Sequence, residues 1–464
     1  MHRLGSGDAP PLPWRLNAPH MNPGAPSARA SARSTHHAVW AMAFPIMLAN
    51  VSVPLLGAVD TAVVGRLPEA YYIGAVAIGA MLFNVLYHLF NCLRMGTTAP
   101  TAQARGAGEF GEVRAIIGRA LLLGGVIGGV IVLLQWPVIA IALWLIEASA
   151  EVEQHARTYF LIRVWSMPAV LAGYAMVGWF YGLGNVRTPL LMQLVANGIN
   201  IGLDVLFVFG FGWGVPGVAV ASVIAEYAAA GLGLVVVRRT LRTLPQGGTV
   251  RRVRDRAALL RLIAINRDIV LRTFCVVSVL ALFMSKSAAL GDVTLAANQV
   301  LHQFLIFTSF ALDGVAHASE AILGAAAGRR AREEFRQGVR IVFGWAAVVG
   351  AVNVVVYAVA GNQIIALLTV LPEVRAAAGT WLPFAAAMPL LAVWAYTFDG
   401  VYLAATRTTI MRNTMFAAFA AFLVVLYGTT PWLGNAGLWA AFATFLGCRG
   451  LLLWLCYPSV RDAI

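Results

Sequence analysis

The sequence predicts an all-α polytopic membrane protein, with twelve transmembrane helices in two six-helix lobes related by a parallel repeat around a central cleft. Three observations carry that prediction. The 464 residues are 60% hydrophobic and only 11% charged, with a mean hydropathy of +0.78; a soluble domain carries about 25% charged residues. The apolar residues gather into twelve runs of the length a helix needs to cross a bilayer, about 20 residues. Six runs lie on each side of one long polar connection, and matching segments recur 221 to 222 residues apart.

In chain order, residues 1–37 come first, rich in Pro, Ala, Ser and Arg with Asp8 as their one acid. They lack the apolar core of a secretory signal and read as a disordered cytoplasmic tail. An organellar transit peptide and a start at Met21 are the alternatives. The N-terminal lobe, 38–237, holds runs at roughly 38–64, 72–98, 115–141, 155–181, 188–210 and 215–237. A cytoplasmic linker, 238–266, is Arg-rich and contains Pro245, Gly247 and Gly248. The C-terminal lobe, 267–457, holds runs at roughly 267–289, 295–323, 337–361, 377–403, 410–428 and 435–457, and residues 458–464 form a second cytoplasmic tail.

The net charge of +13 would suggest nucleic acid in a soluble chain. Here the arginines sit in alternate connections (Arg105, Arg114 and Arg119; Arg187; the linker; Arg329 to Arg340; Arg407 and Arg412), while Glu69, Glu147, Glu151, Glu153, Asp292 and Glu373 mark the others. The positive-inside rule makes the first set cytoplasmic and puts both termini inside. Cys92, Cys275, Cys448 and Cys456 all lie in apolar runs, without disulfide or zinc spacing.

A shift of 222 lays Ile73-Gly74-Ala75-Val76 on Leu295-Ala296-Ala297-Asn298, Gly106 on Gly328 and Glu112 on Glu334. A shift of 221 lays Met167-Pro168 on Met388-Pro389 and Thr188 on Thr409. An even number of spans separates the equivalents, so the halves share one orientation and are parallel repeats about an axis along the membrane normal. The acids do not repeat: Asp60 falls on Leu282 and Asp204 on Val425.

Run 1 carries Pro45 and Pro54, which remove backbone hydrogen bonds and let the helix bend. It also carries Asp60. A carboxylate within a span costs roughly 2.5–3.5 kcal/mol on insertion scales, so such a group usually faces a bundle interior or wet cavity and handles an ion. In run 5, Asn197, Asn200 and Asp204 share one helix face. With Asp60 they read as a site for H⁺ or Na⁺; interhelical hydrogen bonding is the alternative. In run 2, Asn84, His88 and Asn91 form a stripe, and run 8 carries His302, Ser309, Asp313 and Glu320. These line the cavity, or the two acids pair with Lys286, the only lysine of the chain. Lys286 could instead reach the outer interface near Asp292. His88 and His302 also read as satisfied core histidines. Glu226 is a further cavity-lining candidate, and Asp399, before Gly400, either lines the cavity or fixes a helix break. Gly212 to Gly217 matches G-x-G-x-x-G, but no strand precedes it and it reads as a turn. No P-loop, HExxH or GxSxG motif is present.

Several stretches together resemble the multidrug and toxic compound extrusion (MATE) family, in its DinF-like branch. They are Val59 to Leu67 around Asp60; Tyr181-Gly-Leu-Gly-Asn-Val-Arg-Thr-Pro189; Asn200-Ile-Gly-Leu-Asp204 followed by Gly-Val-Pro-Gly217; Leu295-Ala-Ala-Asn298-Gln; Leu312-Asp313-Gly314 with Ser319-Glu320; and Phe398-Asp399-Gly400. The resemblance covers about residues 38–457. It implies a V shape, and efflux of amphipathic, often cationic compounds against H⁺ or Na⁺ entry. It also implies coupling at Asp60 with Asn200 and Asp204 nearby. Ser222 stands where relatives often have Thr, and Lys286 where they often have Arg.

The expected protein is therefore a proton-coupled antiporter and not an enzyme, with no cofactor beyond the coupling ion and no nucleic-acid partner. Its partners are the bilayer and small organic substrates, and it acts as a monomer. Its place is a bacterial inner membrane, or an organellar one if the tail is a transit peptide. Two rivals stand beside it. A flippase for lipid-linked saccharides would need a cavity rich in arginine, and Arg94 is the main arginine expected inside the membrane. A membrane-embedded lipid enzyme would need a nucleophile–base or metal constellation, which the sequence does not offer.

Overall fold

A computed structural model describes residues 35–50, 63–66, 69–146, 149–245, 253–462 and 464. Asp60 and Pro54, like the tail before residue 35, lie outside them. Among the described residues eleven helices are long and apolar enough to cross a membrane, and residues 35–50 form a further helix. Among the described residues there is no strand.

The first helix, α1 (35–50), runs through Pro45 without a break. The N-terminal half continues with α2 (Ala70–Phe90, resuming as Cys92–Gly106), α3 (Phe110–Leu133, resuming as Gln135–Ile146) and α4 (Ala150–Arg163, then a 3₁₀ turn Val164–Ser166, then Met167–Gly182). Then come α5 (Arg187–Val205, closing in a π-helical turn Leu206–Gly210) and α6 (Gly214–Thr243). The second half has α7 (Arg256–Ala289), α8 (Asp292–Gly328), α9 (Arg332–Leu368), α10 (Pro372–Ala404), α11 (Thr408–Leu433) and α12 (Asn435–Arg461).

The duplication is visible in the helix starts. Ala70 and Asp292, Phe110 and Arg332, and Ala150 and Pro372 lie 222 residues apart; Arg187 and Thr408, and Gly214 and Asn435, lie 221 apart. The helices are longer than the apolar runs: α8 and α9 have 37 residues each, about 55 Å at 1.5 Å per residue against a hydrocarbon core of about 30 Å. Apolarity marks only the part in hydrocarbon. For the same reason α6 and α7 reach well into the 238–266 connection. Asp255 caps α7, accepting from the backbone N–H groups of Ala257 (3.0 Å) and Ala258 (3.2 Å).

The lobes meet where α8 packs on the Cys92–Gly106 half of α2. Little bulk intervenes, because the buried residues there are Gly96, Thr97, Thr98, Ala99 and Ala102 on α2, and Ala316, Ala318, Ser319, Ala321 and Gly324 on α8. A Cβ on Gly106 would stand 2.1 Å from the Ala325 carbonyl oxygen, and one on its repeat equivalent Gly328 would stand 2.0 Å from that of Gln103. Small residues allow such backbone approach, the usual source of helix association in membranes. α1 crosses to the second lobe: Val39, Ala43 and Ile46 pack with Leu312, Val315, Val342 and Val393.

Candidate functional site

On α5, helical spacing puts Asn200 and Asp204 on the inner face, where they are 2% and 0% exposed. Asn200 Nδ2 donates to Ser222 Oγ on α6 at 3.4 Å, and Asn200 Oδ1 has no hydrogen-bond partner among the described residues. Asn197, one turn earlier, is half-buried and accepts from Gln193 Nε2 at 2.8 Å. The π-helical turn begins two residues after Asp204; such turns are frequent at functional sites. The structure therefore brings together Asn200, Asp204 and Ser222: a carboxylate, an amide oxygen and a hydroxyl, all ligands that suit a small hard cation.

Four residues after Ser222 on α6, Glu226 is half-buried and lies in the field of Arg163 of α4 and near Tyr87 of α2. Arg163 donates to the Tyr159 hydroxyl and stands 5.1 Å from the Phe83 ring centroid. The sequence reading passed over Arg163, which lies inside an apolar run beside the 3₁₀ turn.

The stripe on α2 divides. Asn84 and His88 are exposed, and His88 Nδ1 bonds the Asn84 carbonyl at 2.8 Å, so His88 is not a core histidine. Asn91 Oδ1 accepts from Arg94 Nε at 2.9 Å. On α8, Asp313 is half-buried, accepts from Ser309 Oγ at 3.5 Å, and lies in the fields of His317, Arg94, Asp399 and Arg272. Glu320 is fully buried between the lobes, with His317 Nδ1 2.8 Å from its Oε1.

Two expectations need correction here. Among the described residues Lys286 makes no ion pair with either α8 acid or with Asp292: its Nζ lies over the Tyr427 ring, 5.0 Å from the centroid. Aliphatic length lets the ammonium reach an aromatic face on α11 instead. Asp399 marks no helix break, since α10 runs unbroken from Pro372 to Ala404. It is buried and accepts from both Arg272 of α7 and Arg449 of α12. That triad also corrects the arginine count. Arg119, Arg272 and Arg449 are buried alongside Arg94; Arg119 was expected in a cytoplasmic connection, and apolar neighbours hide the other two in sequence. Each is matched inside the protein: Arg119 to Glu112 at 2.6 Å, the other two to Asp399. Among the described residues no cluster of three or more His, Cys, Asp or Glu is placed to hold a metal ion.

Twelve spans in two parallel repeats, with polar groups buried at the centre of each half, define a membrane carrier. The MatE family profile matches the chain twice over, at residues 45–206 and 269–428, and the chain belongs to that family of transporters. It is 40% identical over 420 residues to the Escherichia coli (strain K12) DNA damage-inducible protein F, covering 90% of this chain and 91% of that protein. It is 25% identical over 442 residues to the Pseudomonas aeruginosa multidrug resistance protein PmpM, covering 91% and 90%. The Vibrio cholerae MATE transporter VcmN, in its bent form, superposes with a TM-score of 0.84 at 20% identity, over 93% of this chain and 98% of that one. The fold is that V-shaped one, and the chain is a multi-pass membrane transporter, not an enzyme.

Proposed function

We propose that this transporter is a proton-coupled antiporter exporting amphipathic or cationic organic compounds. The observation that carries the reading is the buried carboxylate of Asp204 beside Asn200 and Ser222 in the N-terminal half. A carboxylate kept fully buried inside a membrane protein is a functional group by default. The name of PmpM as a multidrug resistance protein supports the cargo class.

In this mechanism Asp60 takes a proton, aided by Asp204. The lost charge releases water and a cationic substrate from the N-lobe cavity, whose wall includes Asn197, Ser222 and Glu226. α1 bends at Pro54 as the lobes, 38–237 and 267–457, exchange access, with Pro45 as a second hinge. Deprotonation inside resets the carrier. A proton moving down the membrane potential supplies about 2.3 kcal/mol per 100 mV. The carrier works as a monomer in a bacterial inner membrane, with both termini in the cytoplasm.

The test is ethidium efflux from vesicles holding the purified protein, with pH and Na⁺ gradients imposed separately. Efflux driven by the pH gradient, and reduced at least tenfold in Asp60→Asn and Asp204→Asn, is expected. Undiminished efflux in both variants, or drive by Na⁺ alone, would overturn the reading.

A further inference from the structure

We propose that His317 and Glu320 form a second proton-binding site, placed in the seal between the lobes and separate from the Asn200–Asp204 site. The inference rests on the antiport reading and deepens it.

His317 and Glu320 lie one turn apart on α8, 4% and 0% exposed. Nδ1 and Oε1 are 2.8 Å apart, and Glu320 Oε2 has no hydrogen-bond partner among the described residues. The pair sits where α8 meets the first lobe. The His317 ring stacks on Tyr181 of α4, 6.3 Å between centroids, and Tyr181 lies in the fields of Arg94 and Glu320. Asp313, one turn back on α8, lies in the fields of His317 and Arg94. Arg94 of α2 and Asp313 carry opposite charges, and the Arg272–Asp399–Arg449 triad adds one net positive charge; among the described residues none of these makes an ion pair with His317 or Glu320. The remaining neighbours, α1, α9 and α10, meet this part of α8 with Ile46, Val342 and Val393, and α10 adds the Tyr396 hydroxyl, which hydrogen-bonds Ser309 and lies in the field of Asp313. The Arg272–Asp399–Arg449 triad stands beyond Asp313.

In that dry setting the pair is neutral overall only when it holds one proton, whether on the imidazole or on the carboxylate. With none, a carboxylate is left buried with no ion-pair partner among the described residues; with two, an imidazolium is. Either state is costly while the seal is closed. A proton reaches or leaves the buried pair only when α2 and α8 part and water enters. Small residues close the interface on the Gly106–Gly328 side, so parting is a separation of the lobes rather than a side-chain rotation. Proton exchange at this pair is tied to the opening of this end of the cleft.

The experiment compares pH-gradient-driven ethidium efflux with ethidium exchange at equal pH in the same vesicles, for wild type, His317→Gln, Glu320→Gln and the swapped pair His317→Glu/Glu320→His. The expected result is a ratio of driven efflux to exchange at least tenfold lower in each single variant, restored to within threefold in the swap. A wild-type ratio in either folded single variant overturns the proposal, as does an equal fall in efflux and exchange, the mark of a packing role alone. If the single variants do not fold, the swap decides: driven efflux supports the site, and a folded swap without it overturns the site. Wild-type protein indifferent to the pH gradient would instead sink the antiport reading itself, and this site with it.

Discussion

Asp399 shows how much a single buried charge can organise. Its carboxylate holds two guanidiniums from helices on either side of α10, and the Arg449 guanidinium also covers the Tyr396 ring at 5.3 Å. Removing one partner of a buried pair costs about 3–5 kcal/mol, because the partner charges remain buried. Asp399→Asn is expected to lower the thermal midpoint of the detergent-solubilised protein by several degrees, measured by intrinsic tryptophan fluorescence. An unchanged midpoint would mean that water or lipid already screens the arginines. The sequence placed Asp399 among the site residues but could not supply its partners, which lie 127 and 50 residues away. Asp268 was missed altogether. It accepts from Arg412 at 2.8 Å and from Thr409 at 2.9 Å, tying the body of α7 to the start of α11.

At the scale of helices, the close crossing of α2 and α8 carries the seal. Gly328→Leu would drive a side chain into the Gln103 backbone; overpacking of this kind costs typically about 1–3 kcal/mol. The variant is expected to favour the state in which this end opens, read as a severalfold rise in thiol labelling of a cysteine placed at Thr98. Gly125→Ala on α3 is the matched control: a Cβ there meets nothing within 4 Å, and labelling should stay at the wild-type level. The start of α7 has its own pH signature. Hydrogen bonds from the backbone N–H groups, that of Ala258 foremost, hold the Asp255 carboxyl below its ordinary range. A depressed folded-state value means the cap stabilises α7 above the unfolded carboxylate range, near 3.9. That contribution is lost as the pH falls further, through the folded value. The protection of the amides at 257–259, measured against the intrinsic exchange rate at each pH, should fall on acidification below about pH 4, and should already be low at neutral pH in Asp255→Ala.

The whole molecule is a duplicated scaffold with unduplicated chemistry. Helix starts repeat at 222 and 221 residues. The buried polar groups differ between halves: Asn200, Asp204 and Ser222 in one, and the Asp399 triad in the other. A symmetric frame lets two lobes rock about a shared seal, while asymmetric chemistry confines ion coupling in our mechanism to one lobe. The orientation of that frame is open to direct test. A cysteine replacing Arg330 should react with a membrane-impermeant maleimide only from the cytoplasmic side, and one replacing Glu373 only from outside. The reverse pattern would invert the topology read from the arginines.

Composition and run length by themselves determined that the chain spans a membrane as two sets of six helices. Hydrocarbon admits only helices with satisfied backbones here, and an apolar run of given length leaves few alternatives. Helical period also determined that Asn197, Asn200 and Asp204 share a face, since spacing along one helix is a local property. Partners were another matter. That Lys286 rests on Tyr427, that Arg272 and Arg449 converge on Asp399, and that the local His317–Glu320 pair lies within reach of Arg94 and Tyr181 was decided only by the packing of helices far apart in the chain. A buried charge takes whichever counterion the tertiary structure brings within a few ångströms, and nothing in its own neighbourhood of sequence names that counterion.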